Sequence, residues 1–582
     1  MVSRKTPSHF STTILYKIFT TLLVLLLAGY GALAQQDTAT ASPGSGLPDT
    51  LRPVVVPIAP LVAPLVAPLV APLAAPVPTT GAKRGIGAVI GYVRDTRTQE
   101  PLVGAVVKVD GTTNGTATDE NGYYRLEKLP TGSLNLTASL VGYASQQKDN
   151  VVVMSGNDNN INFELRDAAQ EIDEVEITAS AFRKPAETPN SIQTLSRQEI
   201  LSYPGGNNDI AKVVQSLPGV SGTVSFRNDI IIRGGAPNEN VYYLDGIEIP
   251  NINHFGTQGS AGGPVGLLNV SFIEDVTLSA SGFNAKYDNP LSGVLQFKQR
   301  TGNPDRIQGN LRASSSEVAL TMEGPIAKNK DLTFIASARR SYLQFLFKLI
   351  GLPFLPNYYD FQYKVNYKLS KRDEITVLGL GSIDMFTLNP PEPPKKDGNG
   401  LVSEQEKIDY WIRLNTVEQL PISSQYTGTH GASWRHLQDK GIFNMALSYN
   451  LLDNRAYKRE GNDDNKPYLF NYGSKEEESR LRASQTFFMG DMTLAVGANL
   501  QNSKYSNSTF QRISAPDANT GFPGYTINYK SSFSFVRFGA FVQANQAFFG
   551  NRLELSAGIR ADGNSYTTTG KNLGKTDRRA HV

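Results

Sequence analysis

The sequence predicts a mostly β chain in three parts: an N-terminal β-sandwich, an α+β domain, and an antiparallel transmembrane β-barrel that is C-terminally truncated. Three observations carry this. Short β-branched runs alternate with turn pairs over 86–166. Glycine-rich turns separate apolar strands around 230–250. From 304 onward, segments of about ten residues alternate one apolar with one polar side chain, the pattern of a strand with lipid on one face and water on the other.

Composition sets the limits. Across 582 residues, 40% are hydrophobic and 19% charged, which is globular or barrel composition rather than disorder. The formal net charge of +3 gives no electrostatic case for nucleic acid. Tyr 25 and Phe 27 against Trp 2 is a β-leaning mixture. There is no cysteine, which excludes disulfides, thiolate metal sites and cysteine nucleophiles.

Residues 1–34 read as a signal peptide. Arg4, Lys5 and Lys17 precede the apolar run Leu22 to Ala28, and Ala32-Leu33-Ala34 supplies an A-x-A cleavage site. The run is too short to span a membrane, and no later segment is long and apolar enough to do so as a helix. Residues 35–84 form a linker. Pro60, Pro64, Pro68, Pro72 and Pro76 recur every four residues, so the segment is extended polyproline rather than helix.

Residues 85–168 hold the sandwich. Strands are expected at Ala88–Val93, Gly104–Val109, Tyr123–Leu126, Leu134–Ala138 and Asn162–Leu165, with Asn114-Gly115 and Asn121-Gly122 as turns, for a seven-strand type. The stretch GYVRDTRTQEPLVGAVVKVDGTTNGTATDENGYYRLEKLPTG, closing with LVGYASQ, resembles the carboxypeptidase regulatory-like domain. That resemblance implies a transthyretin-like sandwich of the kind found at the N-terminus of Bacteroidetes outer-membrane receptors. It does not imply peptidase chemistry. The five histidines (His9, His254, His430, His436 and His581) show no zinc spacing, and there is no P-loop or G-x-S-x-G elbow. No enzyme activity, cofactor or metal site is expected.

Residues 169–181 contain EIDEVEITAS, where Ile172, Val175 and Ile177 alternate with acids as in an exposed strand. Residues 182–303 follow with LPGV at 217–220, then IIIRGGAPNENVYYLDGIEIP at 230–250, then SFIEDVTLSASGFNAKYDNPLSGVLQFKQRTG at 271–302. This order resembles the plug domain of TonB-dependent receptors. The resemblance implies that Asp173, Glu174, Val175, Glu176, Ile177, Thr178 and Ala179 form the box that pairs with a TonB-type periplasmic energiser, by strand addition. It implies a plug motif of Arg233, Gly234, Gly235, Leu244, Asp245 and Gly246. In that frame Arg233, at a strand end, is expected to pair with carboxylates of the barrel lumen, and the glycines allow the backbone to turn. Asn253, His254 and Phe255, with the glycine-rich 256–263, are expected in an apical loop facing a small extracellular ligand.

Residues 304–582 are expected to be barrel. Tyr359, Phe361, Tyr363, Val365, Tyr367 and Leu369 alternate with Asp360, Gln362, Lys364, Asn366, Lys368 and Ser370. Phe443 to Leu451, Met492 to Leu500, Val536 to Ala544 and Leu553 to Ile559 repeat the scheme. Polar stretches 385–409 and 453–480 read as long outer loops. At roughly 20 residues per strand and connection, the segment suffices for about 12–14 strands, whereas barrels of this family have about 22. The chain ends GKNLGKTDRRAHV, polar and basic, which reads as an interruption and predicts impaired transport.

The resemblance therefore implies a receptor in the outer membrane, surrounded by lipid, with its N-terminal domain periplasmic. It would take up a scarce nutrient by energised transport, an iron chelate or other small solute rather than a glycan. The alternative is a surface binding or adhesion protein that works through the sandwich without transport.

Overall fold

The computed structural model describes residues 86–581, apart from 169–191 and the short stretches 204–205, 207–208, 223–226, 257–262, 315, 395–401, 516–518, 520, 522–523, 550–552 and 567–576. The expected signal peptide, the proline-rich linker and the box at 173–179 lie outside the described residues.

The sandwich has nine strands in two sheets, one of five and one of four. All five expected strands are present: Ile86–Asp95, Val106–Val109, Tyr123–Pro130, Gly132–Ser139 and Phe163–Asp167. The count exceeds seven because short polar pieces also pair, at Gly115–Ala117, Tyr143–Ala144 and Asp158–Asn160, together with Gln146–Val153. Alternating residues of the two sheets meet in one core that includes Val89, Val93, Leu126, Leu136, Phe163 and Leu165. Tyr124 is buried there too, and its hydroxyl donates to the Ile161 carbonyl at 2.7 Å.

The middle domain is built on a five-stranded sheet in the order Ile192–Ser196, Ile273–Ser279, Gly293–Gln299, Asn240–Leu244, Ile247–Ile249. Asn240–Leu244 runs parallel to Gly293–Gln299, and the other pairings are antiparallel. A helix before LPGV spans Ile210–Val214, and the Asp209 carboxylate caps it by accepting from the Ala211 N–H. Its buried Ile210, Val213 and Val214 pack with Ile230, Ile232, Leu244, Ile247 and Phe297.

From Gln308 the chain forms one antiparallel sheet of twelve strands, each paired to its neighbours in sequence. Connections alternate in length. At one end, here called lower, turns are tight: Ala327-Lys328, Ser370 to Arg372, Asp439-Lys440 and Gly490-Asp491. At the upper end the connections after the first are longer, and two carry helices, Leu343–Leu349 and Glu404–Gln419. Among the described residues the first and last strands do not pair with each other.

Burial on this sheet is inverted. In Phe354–Lys368 the polar phase is inside: Asp360 is 4% exposed and Gln362, Lys364 and Asn366 are buried. The aromatic phase is outside, with Tyr359 38% exposed. The same holds farther along: Asn499, Gln501 and Gln543 are buried, while Leu500, Phe538 and Val542 are exposed. A sheet in water hides its apolar face, so this arrangement fits a wall with an apolar solvent outside and a wet or filled interior. Outward glycines Gly379 and Gly381 lie opposite Tyr363 and Phe361, and an added Cβ would come within 2.3 and 2.4 Å of those rings. The rings cover the glycine backbone instead.

Two sequence expectations are corrected here. The stretch 453–480 is mostly strand, within Gly441–Arg459 and Tyr468–Met489, and only the short piece between them is a loop. The four strands from Gly441 to Phe548 have 19, 22, 23 and 24 residues. A strand of that length, roughly 70 Å and tilted about 45°, rises well past a band about 25 Å tall. Its upper part is wet on both faces, so charged residues such as Lys475, Glu476 and Glu477 do not end the strand. Likewise 385–409 begins as strand to Leu388 and closes in the helix Glu404–Gln419.

Gly91 sits against the neighbouring backbone at Ile161 in the same sheet, and a Cβ there would lie 1.7 Å from the Ile161 carbonyl oxygen. Gly91→Ala is expected to cost at least about 1–3 kcal/mol through forced backbone shifts. Limited proteolysis of the full chain checks it, with new cleavage expected inside 86–168 and none in the wall strands.

Candidate functional site

The inner face of the wall wraps the middle domain. Contacts run from Thr321 on the second strand, which accepts from Asn269 at 3.4 Å, to Arg560 on the eleventh, which donates to the Ala285 carbonyl at 3.3 Å. The candidate site is this seam, and its densest part surrounds His254.

His254 is fully buried. Its Nδ1 lies 2.7 Å from Asp384 Oδ1 and its Nε2 lies 3.1 Å from Asp360 Oδ2. The doubly protonated ring donates to both carboxylates, whereas a neutral ring protonated at Nδ1 donates to Asp384 and can accept at Nε2 from Arg339 Nη2, 3.3 Å away. Burial alone would lower its pKa, but Asp384 and Asp360 outweigh that and hold it above the ordinary value. The ring stacks on Tyr358 at a centroid distance of 3.8 Å. Arg339 completes the lattice. Its Nε donates to Asp360 at 2.7 Å, its Nη1 reaches Glu317 at 3.3 Å, and its Nη2 donates to the carbonyls of Gly266 and Leu267 at 2.8 and 3.0 Å. Arg312 donates to the other Glu317 oxygen at 2.7 Å, and the Tyr358 hydroxyl donates to Glu317 at 3.0 Å. Three cations (His254, Arg339 and Arg312) thus face three carboxylates. Backbone joins in: the Phe255 N–H donates to Asp384 at 2.8 Å and the Gly256 N–H to Gln425 at 3.0 Å.

Asn253 and His254 were expected in a loop facing a ligand. Both are buried, and His254 is clamped to the wall by two carboxylates. Phe255 is half-buried with φ of 54°. The glycine-rich 257–262 lies outside the described residues.

The motif at 230–250 divides. Arg233 is exposed, with φ of 50°, and its N–H donates to the Gly219 carbonyl at 2.9 Å. The close approach falls on Gly235, where a Cβ would lie 1.7 Å from Ser292 Oγ. Leu244 is in the core, and Asp245-Gly246 forms a hairpin turn with both φ positive, at 48° and 81°. Asp245 carries a charge across to the wall. It meets Lys364 at 2.9 Å and accepts from the Gln299 N–H at 2.8 Å. Glu248 likewise meets Arg480 of the wall, and Asp288 meets Arg482 at 3.7 Å.

Above the lattice, the inward phase turns aromatic. Phe354 and Phe386 stack at 4.8 Å, and Phe347 of the short helix meets Phe354 edge-on at 5.5 Å. Tyr505 and Phe533 pair at 5.4 Å on strands farther round the same face.

A sandwich, then a small α+β domain held against a curved wall whose inner face is polar and outer face apolar, is the layout of a plug within a β-barrel wall. Residues 89–177 match the CarboxypepD_reg-like domain, and 184–294 match the TonB-dependent receptor plug domain. The chain is 32% identical over 243 residues to the TonB-dependent receptor SusC of Bacteroides thetaiotaomicron, a match covering 39% of this chain and 23% of that protein. It is 29% identical over 161 residues to a TonB-dependent receptor of Formosa agariphila, covering 25% of this chain and 15% of that one. The chain carries a CarboxypepD_reg-like domain followed by a TonB-dependent receptor plug domain, and its matches span less than a quarter of those relatives' length. Among solved structures, FpvA of P. aeruginosa bound to heterologous pyoverdines aligns with a TM-score of 0.47 at 16% identity, over 68% of this chain and 54% of that one. The siderophore receptor PirA from Acinetobacter baumannii aligns at 0.46 and 14%, over 67% and 58%.

Arg339→Met leaves Asp360 and Glu317 buried with less compensation and is expected to cost roughly 3–5 kcal/mol. The measurement is the denaturation midpoint of the full chain in detergent. The raised pKa of His254 has a sign. The tighter proton stabilises the folded chain at pH below about 6.5, and this gain is lost as pH rises past the raised folded value. The thermal midpoint of the native chain is thus expected to fall more steeply with rising pH than that of His254→Gln. Parallel curves would show that His254 stays in one protonation state.

Proposed function

We propose that this chain serves energised uptake across the outer membrane, with its apolar wall face in lipid and its sandwich on the periplasmic side. The carrying observation is the inverted burial of the wall around a plug anchored by side-chain charges. Such a plug blocks passive diffusion yet is held by interactions that can be exchanged one at a time.

In this reading a small solute settles above the His254 layer, on the aromatic surface that includes Phe354 and Phe386. Flat aromatic faces suit the rings of an iron chelate or a similar scarce solute, which we favour over a glycan. A TonB-type energiser adds a strand to Asp173–Ala179 and pulls, and the plug rearranges. Binding and force suffice, so no covalent chemistry is assigned.

Val175→Pro is expected to abolish cross-linking to the energiser while leaving ligand binding intact, because proline removes a ladder donor. Unchanged cross-linking would overturn the assignment of the box. Calorimetry of the full chain with a ferric catecholate chelate and with an oligosaccharide separates the substrate classes, and binding of the oligosaccharide alone would overturn the preference.

A further inference from the structure

The sandwich does not hang free below the wall. It is stitched at once to the plug, to the connection between plug and wall, and to the lower turns of the wall. On the plug, Lys298 meets Glu164 of the sandwich at 2.7 Å, and Asn162 donates to Glu274 at 3.0 Å. On the connection, Asn160 donates to the Thr301 carbonyl at 2.9 Å, and Asp305 takes Tyr123 at 2.5 Å and Arg125 at 2.9 Å. Asp158, nearly inaccessible, collects Arg306 at 2.8 Å and Asn303 at 3.0 Å. It also exchanges two bonds with Gln308, its N–H and its carbonyl each meeting the side-chain amide at 2.8 Å.

On the wall, Asn157 donates to the Gly309 carbonyl at 3.0 Å, and Lys368 lies 3.4 Å over the Tyr92 ring. Glu120 meets Lys371 at 3.1 Å. Arg97 donates to the Gly490 carbonyl at 2.8 Å. The contacts therefore run from the first wall strand to the turn after the eighth. Several are buried and mutually supporting. Burial would raise the Asp158 pKa, but Arg125, Asn303 and Arg306 outweigh it and hold the carboxyl below its usual range.

We propose that the sandwich is a brace that locks the plug into the wall from below, and that its release is a separate step required before the plug can move. Glu164 and Asn162 bind the plug while Asn157, Glu120 and Arg97 bind the wall. Any shift of the plug against the wall must therefore break one set of these contacts. The inference rests on the sheet being the wall around the plug. It does not depend on which solute is carried or on the energiser.

The test uses the full chain in detergent, which has no cysteine of its own. Glu120 and Lys371 are both well exposed at the junction, so Glu120→Cys with Lys371→Cys can be bridged by a short thiol-specific linker. Amide exchange is then followed in the plug strands Ile273–Ser279 and Gly293–Gln299 and in the wall strand Gly441–Arg459. Arg125→Glu with Arg306→Glu is expected to release the sandwich and raise plug exchange at least tenfold, leaving the wall strand unchanged. Adding the bridged cysteine pair to that background is expected to restore protection. If the charge reversals also loosen the wall, the bridged and unbridged forms of the otherwise native chain are compared, and bridging is expected to slow plug exchange. Plug exchange that is the same with the sandwich free or bridged would overturn the brace, as would failure of the native junction to bridge.

Discussion

The structure depends on one constraint: the wall turns its polar face inward, and every group on that face must find a partner there. A strand with lipid outside has no other place for Asp360, Lys364, Asp384 or Arg339. The plug supplies the partners. His254 bridges two carboxylates from neighbouring strands, Asp245 meets Lys364, and Glu248 meets Arg480. Leaving such charges buried alone is costly, whereas exchanging one partner for another, or for water, costs far less. The seam is thus firm at rest and still able to rearrange.

Charge and packing share the work unevenly. The plug has its own apolar core, yet Leu378 and Leu380 of the wall are part of it. Gly431 of the wall leaves space for Ile247, since a Cβ there would lie 2.4 Å from Ile247 Cδ1. On the far side of the wall the contacts are hydrogen bonds, such as Ala285 N–H to Gln543 at 3.1 Å. One flank of the plug is therefore fused to the wall by hydrophobic packing, and the other is held mainly by polar contacts, with Phe541 buried among them.

Much of this was legible in the sequence. The alternation at 359–370 gave both the strand and its orientation, because lipid and lumen impose opposite polarity on successive residues. Asp245-Gly246 was readable as a turn because few residues other than glycine and its small polar neighbours tolerate that backbone. The strand Asp373–Leu388 was not readable. Its inward residues Leu378 and Leu380 are apolar to suit the plug core, so the period of two vanishes. Arg233 drew attention as the charge at a strand end, whereas Asp245, twelve residues on and read only as part of a turn, also carries charge to the wall. His254 stood out as one of five histidines, yet its partners lie more than a hundred residues downstream, and no local pattern announces them. The charged residues at the inward phase of alternating strands, Asp360 and Lys364, were the available signal for the other half of the site.

The shared core has a consequence for how far the plug can travel. Leu378 and Leu380 belong to the wall and stay behind if the plug leaves whole. Each would then face a water-filled lumen, at a cost of roughly 1.5–3 kcal/mol, and Ile247 and its neighbours would lose the same contact from the other side. The flank near Ala285 and Asp288, held mainly by polar contacts, carries less of this penalty. The lowest-cost passage is therefore a hinge: the polar flank swings or unravels while the flank at Leu378 stays in place as the pivot. A conduit opened in this way runs along one side of the lumen, and it closes again without the plug having to find its way back.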